Sequence, residues 1–248
     1  MDNGKPFYIV GAGGFGREIA WLVERVNVAA HTWDLQGFID DDKTLWGETW
    51  GSYTVLGGLD YLEKQKSHIW AVIAVGNAKA RKKIADRLSS LGNLSFATLI
   101  DPGVEMSERV SVGEGSIICA GTIITVDVKI GRHSIINLDC TVGHNAQLAD
   151  FVTLYPSVNV SGNVKVGECT ELGTGAQFIQ GITIGKGTII GAGTVVVKDI
   201  EAEVTAVGNP AKVIKRHSER QLGGGIARVD SKVYGHCSVL PEMDVPAA

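Results

Sequence analysis

Residues 128–166 read VKIGRHSIINLDCTVGHNAQLADFVTLYPSVNVSGNVKV, and an apolar residue returns at every sixth position: Ile130, Ile136, Val142, Leu148, Leu154, Val160 and Val166. The beat runs back through Ile124 and Ile118 to Val112, and forward through Leu172, Phe178, Ile184 and Ile190 to Val196. Two residues before each anchor stands a small or β-branched residue, as at Ser134, Cys140, Ala146 and Val152. Glycine follows the anchor at Gly113, Gly131, Gly143, Gly167, Gly173, Gly185 and Gly191. A period of six fits neither a helix at 3.6 nor a plain alternating strand. It is the pattern of a parallel β-solenoid. If three hexads make one triangular coil, residues 18 apart stack, with coils about 4.8 Å apart. The anchors then fill the interior, and the small residues sit where the wall is narrowest. Crossover rules favour a right-handed path, yet strict hexads are known from left-handed helices, so the repeat alone does not fix the hand.

Working outward, the solenoid is expected over residues 99–200, with an α/β region over 1–98. There a short strand at 7–10 leads into Gly11-Ala12-Gly13-Gly14-Phe15-Gly16 and a helix at about 17–26. A second strand at 35–39 ends in Asp40-Asp41-Asp42. A third apolar run at 69–75 ends in Gly76-Asn77, before a basic helix at about 78–91. Strand, glycine turn, helix, strand is the order of an open parallel sheet. Residues 201–248 leave the repeat: a turn at Gly208-Asn209-Pro210-Ala211-Lys212 leads into 213–216, and a mobile tail is expected beyond.

Bulk properties narrow the function. A net charge of −4 over 248 residues lacks the concentrated basic face of a nucleic-acid binder. No run approaches the ~18 apolar residues of a membrane span. The start MDNGKPFYIVGAGG has no small-residue cleavage site and reads as no secretory signal. Cys119, Cys140, Cys169 and Cys237 show no CxxC spacing and fit free thiols in a reducing cytoplasm.

A Gly-x-Gly-x-x-Gly turn between strand and helix is an anion-binding arrangement of bare backbone and helix N-terminal N–H groups. A dinucleotide needs two mononucleotide halves across about six strands. About 90 residues precede the repeat, so a mononucleotide or nucleotide sugar fits better. Gly11, Gly13, Gly14 and Phe15 are candidates for its phosphates, and Asp40 and Asp41 for its base or ribose. Gly76 and Asn77 lie on the same sheet edge, where Arg81 or Lys82 would add charge. The alternative is that the glycines serve only a tight turn and close helix packing.

His144 stands two residues after anchor Val142 and points away from the interior. Stacking by 18 puts Val126 before it and Gly162 after it, so no side chain stands beside the imidazole on the Gly162 side. Such a gap admits a slim thioester arm. Histidine suits a base that takes a proton near neutral pH from an attacking amine or hydroxyl. His133 is expected to be exposed and structural. A metal site needs three converging ligands, and His133 and His144 lack a third, so no metal is expected. No cysteine has a local cation to activate it as a nucleophile. Lys198, Lys212, Lys215 and Arg216 form a basic cluster past the last coil, suited to a donor's phosphates or to a solvated rim.

Together the glycine-rich α/β start, GFIDDD at 37–42, VGN at 75–77, the hexads, TVGHN at 141–145 and GNPAK at 208–212 resemble the sugar O-/N-acyltransferases of the sialic-acid O-acetyltransferase type. That family includes enzymes that N-acetylate nucleotide-linked 4-amino sugars. The resemblance covers roughly residues 6–216. It implies a left-handed β-helix, a homotrimer with active sites between subunits, acetyl-CoA as donor and a sugar acceptor held partly by the N-terminal region. It implies His144 as the base, Asn137 as an acceptor contact, Phe15 near the phosphates, and Asp40 and Asp41 on uridine. Donor contacts carry over to Gly162, Thr174 and Ala192. One departure is Asn145, where the family usually has an acid. An amide orients the ring but supplies no charge, so a backbone carbonyl or another carboxylate, from Asp139, Asp150 or a neighbouring subunit, would have to assist. The expected function is acetyl transfer to the 4-amino group of a UDP-linked sugar. O-acetylation of sialic acid or another glycan sugar, and a non-catalytic nucleotide-sugar-binding scaffold, are the alternatives.

Overall fold

In the computed structural model the described residues run from 4 to 217; the expected mobile tail and Cys237 lie outside them. The hexads stack at a constant offset of 18, with Ile117 paired to Ile135, Ile123 to Thr141 and Lys129 to Gln147, all parallel. Three sheets form the walls of a triangular coil. The first face carries Ile117–Ile118, Ile135–Ile136, Thr153–Leu154 and Glu171–Leu172. The second carries Ile123–Ile124, Thr141–Val142, Asn159–Val160 and Gln177–Phe178, and the third Lys129–Ile130, Gln147–Leu148 and Lys165–Val166.

Every anchor from Ile118 to Val196 is buried, and Val112 is half-buried. The small positions are buried too, and their hydroxyls are satisfied. Ser116, Thr122, Ser134 and Thr170 donate to the carbonyls of Gly131, Asn137, Ala149 and Gly185, each 15 residues on. The glycine after an anchor answers to close approach: a Cβ on Gly143 would lie 2.6 Å from the Gly162 nitrogen. The third residue after most anchors turns the corner in the left-handed region, as at Asp127 (φ 58°), Asn145 (φ 60°) and Asn163 (φ 60°). Asn and Asp tolerate that conformation best among residues with side chains.

The N-terminal layer is a six-stranded sheet of order β3-β4-β2-β1-β5-β6. Its strands are β1 (Lys5–Val10), β2 (Trp33–Ile39), β3 (Thr49–Trp50), β4 (Tyr53–Gly57), β5 (Ile69–Ile73) and β6 (Leu94–Phe96). Helices α1 (Gly14–Ala29), α2 (Leu59–Glu63) and α3 (Ala78–Leu88) connect them. Only β3 runs antiparallel to its neighbour. The sheet is thus wider than the three strands read from the sequence, and α1 begins inside the glycine turn rather than at Arg17.

This layer covers the first face. The outward residues Ile117, Ile135, Thr153 and Glu171 are buried there, whereas Lys129, Gln147 and Lys165 on the third face are exposed. One apolar cluster joins Ile19, Leu22 and Val23 of α1 to Ile117, Cys119 and Ile135 of the coils. Arg25 adds a two-point contact to the buried Asp101 carboxylate, at 2.6 and 2.9 Å. Val204–Val207 extends the first face and pairs antiparallel with Lys212–Arg216.

Candidate active site

His144 sits at the corner between the second and third faces, exposed, after Thr141–Val142 and before Gln147–Leu148. The corner is pinned by backbone bonds from Asn145 to the Val126 carbonyl (3.0 Å) and from Asn163 to the His144 carbonyl (2.8 Å). The Asn145 side-chain oxygen lies 3.0 Å from His144 Nδ1. An amide oxygen only accepts, so this contact is met with the proton on Nδ1 and leaves Nε2 as the acceptor nitrogen. Beside the ring lies buried Gly162, where any Cβ would run into the imidazole.

The two nearby carboxylates do not reach this corner. Asp139 stands at the corner between the first and second faces, 3.5 Å from the Ser157 hydroxyl. Asp150 stands between the third and first faces and is committed to Arg132, accepting from its backbone (2.8 Å) and guanidinium (2.9 and 3.1 Å). Neither shares the His144 corner, because each lies one hexad away and a hexad turns the chain by a full corner. The exposed expectation for His133 also fails. Its ring is buried, edge-on to Phe96 at 4.5 Å and stacked on Phe151 at 5.0 Å. Its corner lies under the α/β layer, and burial, aided by Arg81 and Arg132, pushes the imidazole down to about 4.

At the sheet edge, Gly13 and Gly14 are exposed, and Gly13 has no atom near where a Cβ would sit. Helix α1 has no side-chain cap and no acid in its first turn. Gly11 has φ 109°, and a Cβ there would lie 2.8 Å from the Ala74 carbonyl oxygen, so the turn needs glycine. Phe15 is half-buried. Asp40 accepts from the Ala12 and Asp42 backbone N–H groups, both at 2.9 Å, and Asp41 accepts from Leu59 N–H at 2.9 Å.

The other turn on this edge, between β5 and α3, is already occupied. Asn77 caps α3 through Ala80 N–H (2.9 Å), and Glu171 of the solenoid accepts from Asn77 Nδ2 and Ala78 N–H, both at 3.0 Å. Arg81 does not add charge to the edge. It is fully buried, donating to the carbonyls of Val75 (2.6 Å), Gly76 (2.9 Å), His133 (2.7 Å) and Phe151 (2.9 Å), and to the Thr153 hydroxyl (2.9 Å). Burial pushes its guanidinium down to about 10, opposed by Glu171. Lys82 pairs with Glu168 at 2.9 Å.

The remaining candidates divide between corners. Asn137, Thr174 and Ala192 lie between the first and second faces; the Asn137 side-chain oxygen accepts from Leu138 N–H at 2.7 Å. This corner borders the α/β layer: Glu18, Trp21 and Leu22 of α1 line a cleft with Ala120 and Leu138. His144, Gly162 and exposed Lys198 lie along the opposite edge of the second face. Six near-extended residues separate the two edges, roughly 15–20 Å. Lys215 is exposed on the last strand, where Arg216 pairs with Glu201 at 2.6 Å. Among the described residues no three His, Cys, Asp or Glu side chains converge as metal ligands.

Residues 7–88 match the PglD N-terminal domain. GDP-perosamine N-acetyltransferase of Escherichia coli O157:H7 is 30% identical over 214 residues, 84% of this chain and 96% of that protein. The chain belongs to the sugar O-/N-acyltransferase family. Two solved members superpose over most of this sugar acetyltransferase. The acetyltransferase domain of PglB from Neisseria gonorrhoeae FA1090, in complex with acetyl coenzyme A, gives a TM-score of 0.77 at 31% identity, covering 85% of this chain and 100% of that one. A histidine-to-asparagine variant of perosamine N-acetyltransferase from Caulobacter crescentus, in complex with CoA and GDP-perosamine, gives 0.74 at 31%, covering 86% and 97%. With this membership the β-helix is left-handed. No helix among the described residues is long and apolar enough to cross a membrane.

In this acetyltransferase, sequence reading missed Glu171 and Tyr155. Tyr155 donates to Glu171 Oε2 at 3.1 Å, and a Cβ on Gly76 would lie 3.4 Å from its hydroxyl. A signal for Glu171 was present: counting by 18, it is an acid at the outward position that holds Ile117, Ile135 and Thr153.

Proposed function

We propose that this enzyme transfers the acetyl group of acetyl-CoA directly to the amino group of a nucleotide-linked amino sugar, with His144 as general base. The observation that carries this reading is the His144 corner: an exposed imidazole with Nδ1 engaged by Asn145 and its Nε2 edge against Gly162, where no side chain stands. The amine nitrogen attacks the thioester carbonyl and forms the N–C bond while His144 Nε2 accepts its proton. Collapse of the tetrahedral intermediate breaks the C–S bond, and the thiolate of CoA takes up the proton from the imidazolium. No acyl-enzyme is needed. Burial pushes the Cys119 and Cys140 thiols up to about 12 and about 11, against a nucleophilic role.

The diphosphate of the acceptor is assigned to Gly11, Gly13, Gly14 and Phe15, because the α1 N-terminus is open while that of α3 holds Glu171. Asp40 and Asp41 face the base or ribose, and Asn137 the sugar; Gly76 and Asn77 form the wall beside it. Acetyl-CoA is the donor, running past Gly162, Thr174 and Ala192 toward Lys198 and Lys215. The corner holding Asn137 and the corner holding His144 are separated by a whole face in one chain. A neighbouring copy closes that gap, which supports a homotrimer with each site shared between subunits. The first-read nucleotide is uridine. A guanosine acceptor is the second reading, favoured by the E. coli relative that is matched over nearly its full length.

Thiol release from acetyl-CoA tests this with UDP- and GDP-linked amino sugars against sialic acid. The expected result is release with an amino acceptor; release with hydroxyl acceptors alone overturns N-acetylation. Sedimentation should report three chains, and an active monomer would overturn the shared site. A further expectation concerns Asn145→Asp. It keeps an acceptor at Nδ1 and adds a charge that favours the imidazolium, so turnover equals or exceeds that of the parent enzyme. Complete inactivation would show that the amide does more than orient the ring.

A further inference from the structure

The turn between β5 and α3 is held by the solenoid more than by its own layer. Glu171, 9% exposed, gathers three donors from two places: Asn77 Nδ2 and Ala78 N–H on one oxygen, both at 3.0 Å, and the Tyr155 hydroxyl on the other at 3.1 Å. Charge-assisted bonds of this kind are about twice as strong as neutral ones, and a carboxylate at a helix N-terminus gains further from the dipole. The Gly76 carbonyl is fixed in turn by the Thr153 hydroxyl at 2.8 Å and by Arg81 at 2.9 Å. Tyr155 stands one coil beyond Asn137 at the same corner, with Gly76 against its hydroxyl.

We infer that Glu171 is a positioning residue for the acceptor sugar. One buried carboxylate sets the Gly76-Asn77 turn and the Tyr155 phenol into a single wall beside Asn137, and its charge at α3 turns the acceptor's diphosphate toward α1. This rests on the proposed binding of the acceptor at that corner. Glu171 touches neither reacting atom, so its loss acts on acceptor binding and leaves the donor and the chemical step alone.

Steady-state thiol release with both substrates varied tests this. Glu171→Ala should raise the acceptor KM by at least ~10-fold, the scale of lost bonds to a charged group, with acetyl-CoA KM and kcat held within about threefold. Glu171→Gln should recover part of the loss, since its amide oxygen still accepts from Asn77 and Ala78 and its amide nitrogen donates to Tyr155, while the charge at α3 is gone. Tyr155→Phe removes one of the three bonds without touching the buried charge; it decides the matter if Glu171→Ala does not fold. It should raise the acceptor KM severalfold. An unchanged acceptor KM in the folded variants, a fall in kcat alone, or an equal rise in both KM values overturns the inference. Parent enzyme that releases no thiol with any nucleotide-linked amino sugar overturns the proposed reaction itself, and this inference with it.

Discussion

His144→Ala lowers turnover by at least ~100-fold, the scale of losing a positioned general base, and leaves the fold intact. The fold should survive because the side chain is exposed and, among the described residues, its one side-chain hydrogen bond is to the neighbouring Asn145. The corner itself is held by the backbone bonds of Asn145 and Asn163, which alanine keeps. KM for acetyl-CoA should change little, since the Gly162 gap only widens when the ring is removed. The measurement is kcat by thiol release with saturating donor and amino-sugar acceptor, alongside a thermal melt. A kcat within about threefold of the parent, with normal melting, would remove His144 from the reaction and pass the base to another group.

The placing of His144 against Gly162 was legible because the period is a property of one coil. Once three hexads close a triangle, arithmetic alone puts Gly162 beside His144 and sends its ring outward. The same arithmetic shows that Asp139 and Asp150, though near in sequence, turn to other corners, a step the reading of the sequence omitted. His133 and Arg81 were misread for another reason. Their burial depends on the α/β layer docking on the first face, a contact between segments more than 50 residues apart in the chain. The clue lay in the outward positions: Ile117 and Ile135 are apolar where Lys129 and Gln147 are polar, so one face was marked to be covered. Strands β4 and β6 escaped notice because five and three residues are too few to show a period.

Arg81→Met lowers stability by about 3–5 kcal/mol, since several buried acceptors lose a charged donor whose bonds are worth about 1.5–3 kcal/mol each. Methionine keeps much of the side chain's volume and none of its donors. The carbonyls of His133, Phe151 and Val75 and the buried Glu171 carboxylate then lose their cation together. For a chain of this size that is a fall in melting temperature of roughly 10 °C or more. Arg81→Lys should rescue little, because one ammonium does not reproduce a fork that spans one loop and two coils. The comparison is Lys82→Met, one residue along. It breaks the Lys82–Glu168 pair, whose side chains are 42% and 44% exposed, and lifts the ammonium from the Phe151 ring, 4.9 Å away; together these should cost no more than about 1–2 kcal/mol. Calorimetry at one protein concentration separates these cases. If Arg81→Met and Lys82→Met melt within about 2 °C of each other, the buried guanidinium is not what fastens the α/β layer to the first face. The apolar contacts of Ile19, Leu22 and Val23 with Ile117 and Ile135, with the Arg25–Asp101 and Asn77–Glu171 bonds, would then be what holds the layer.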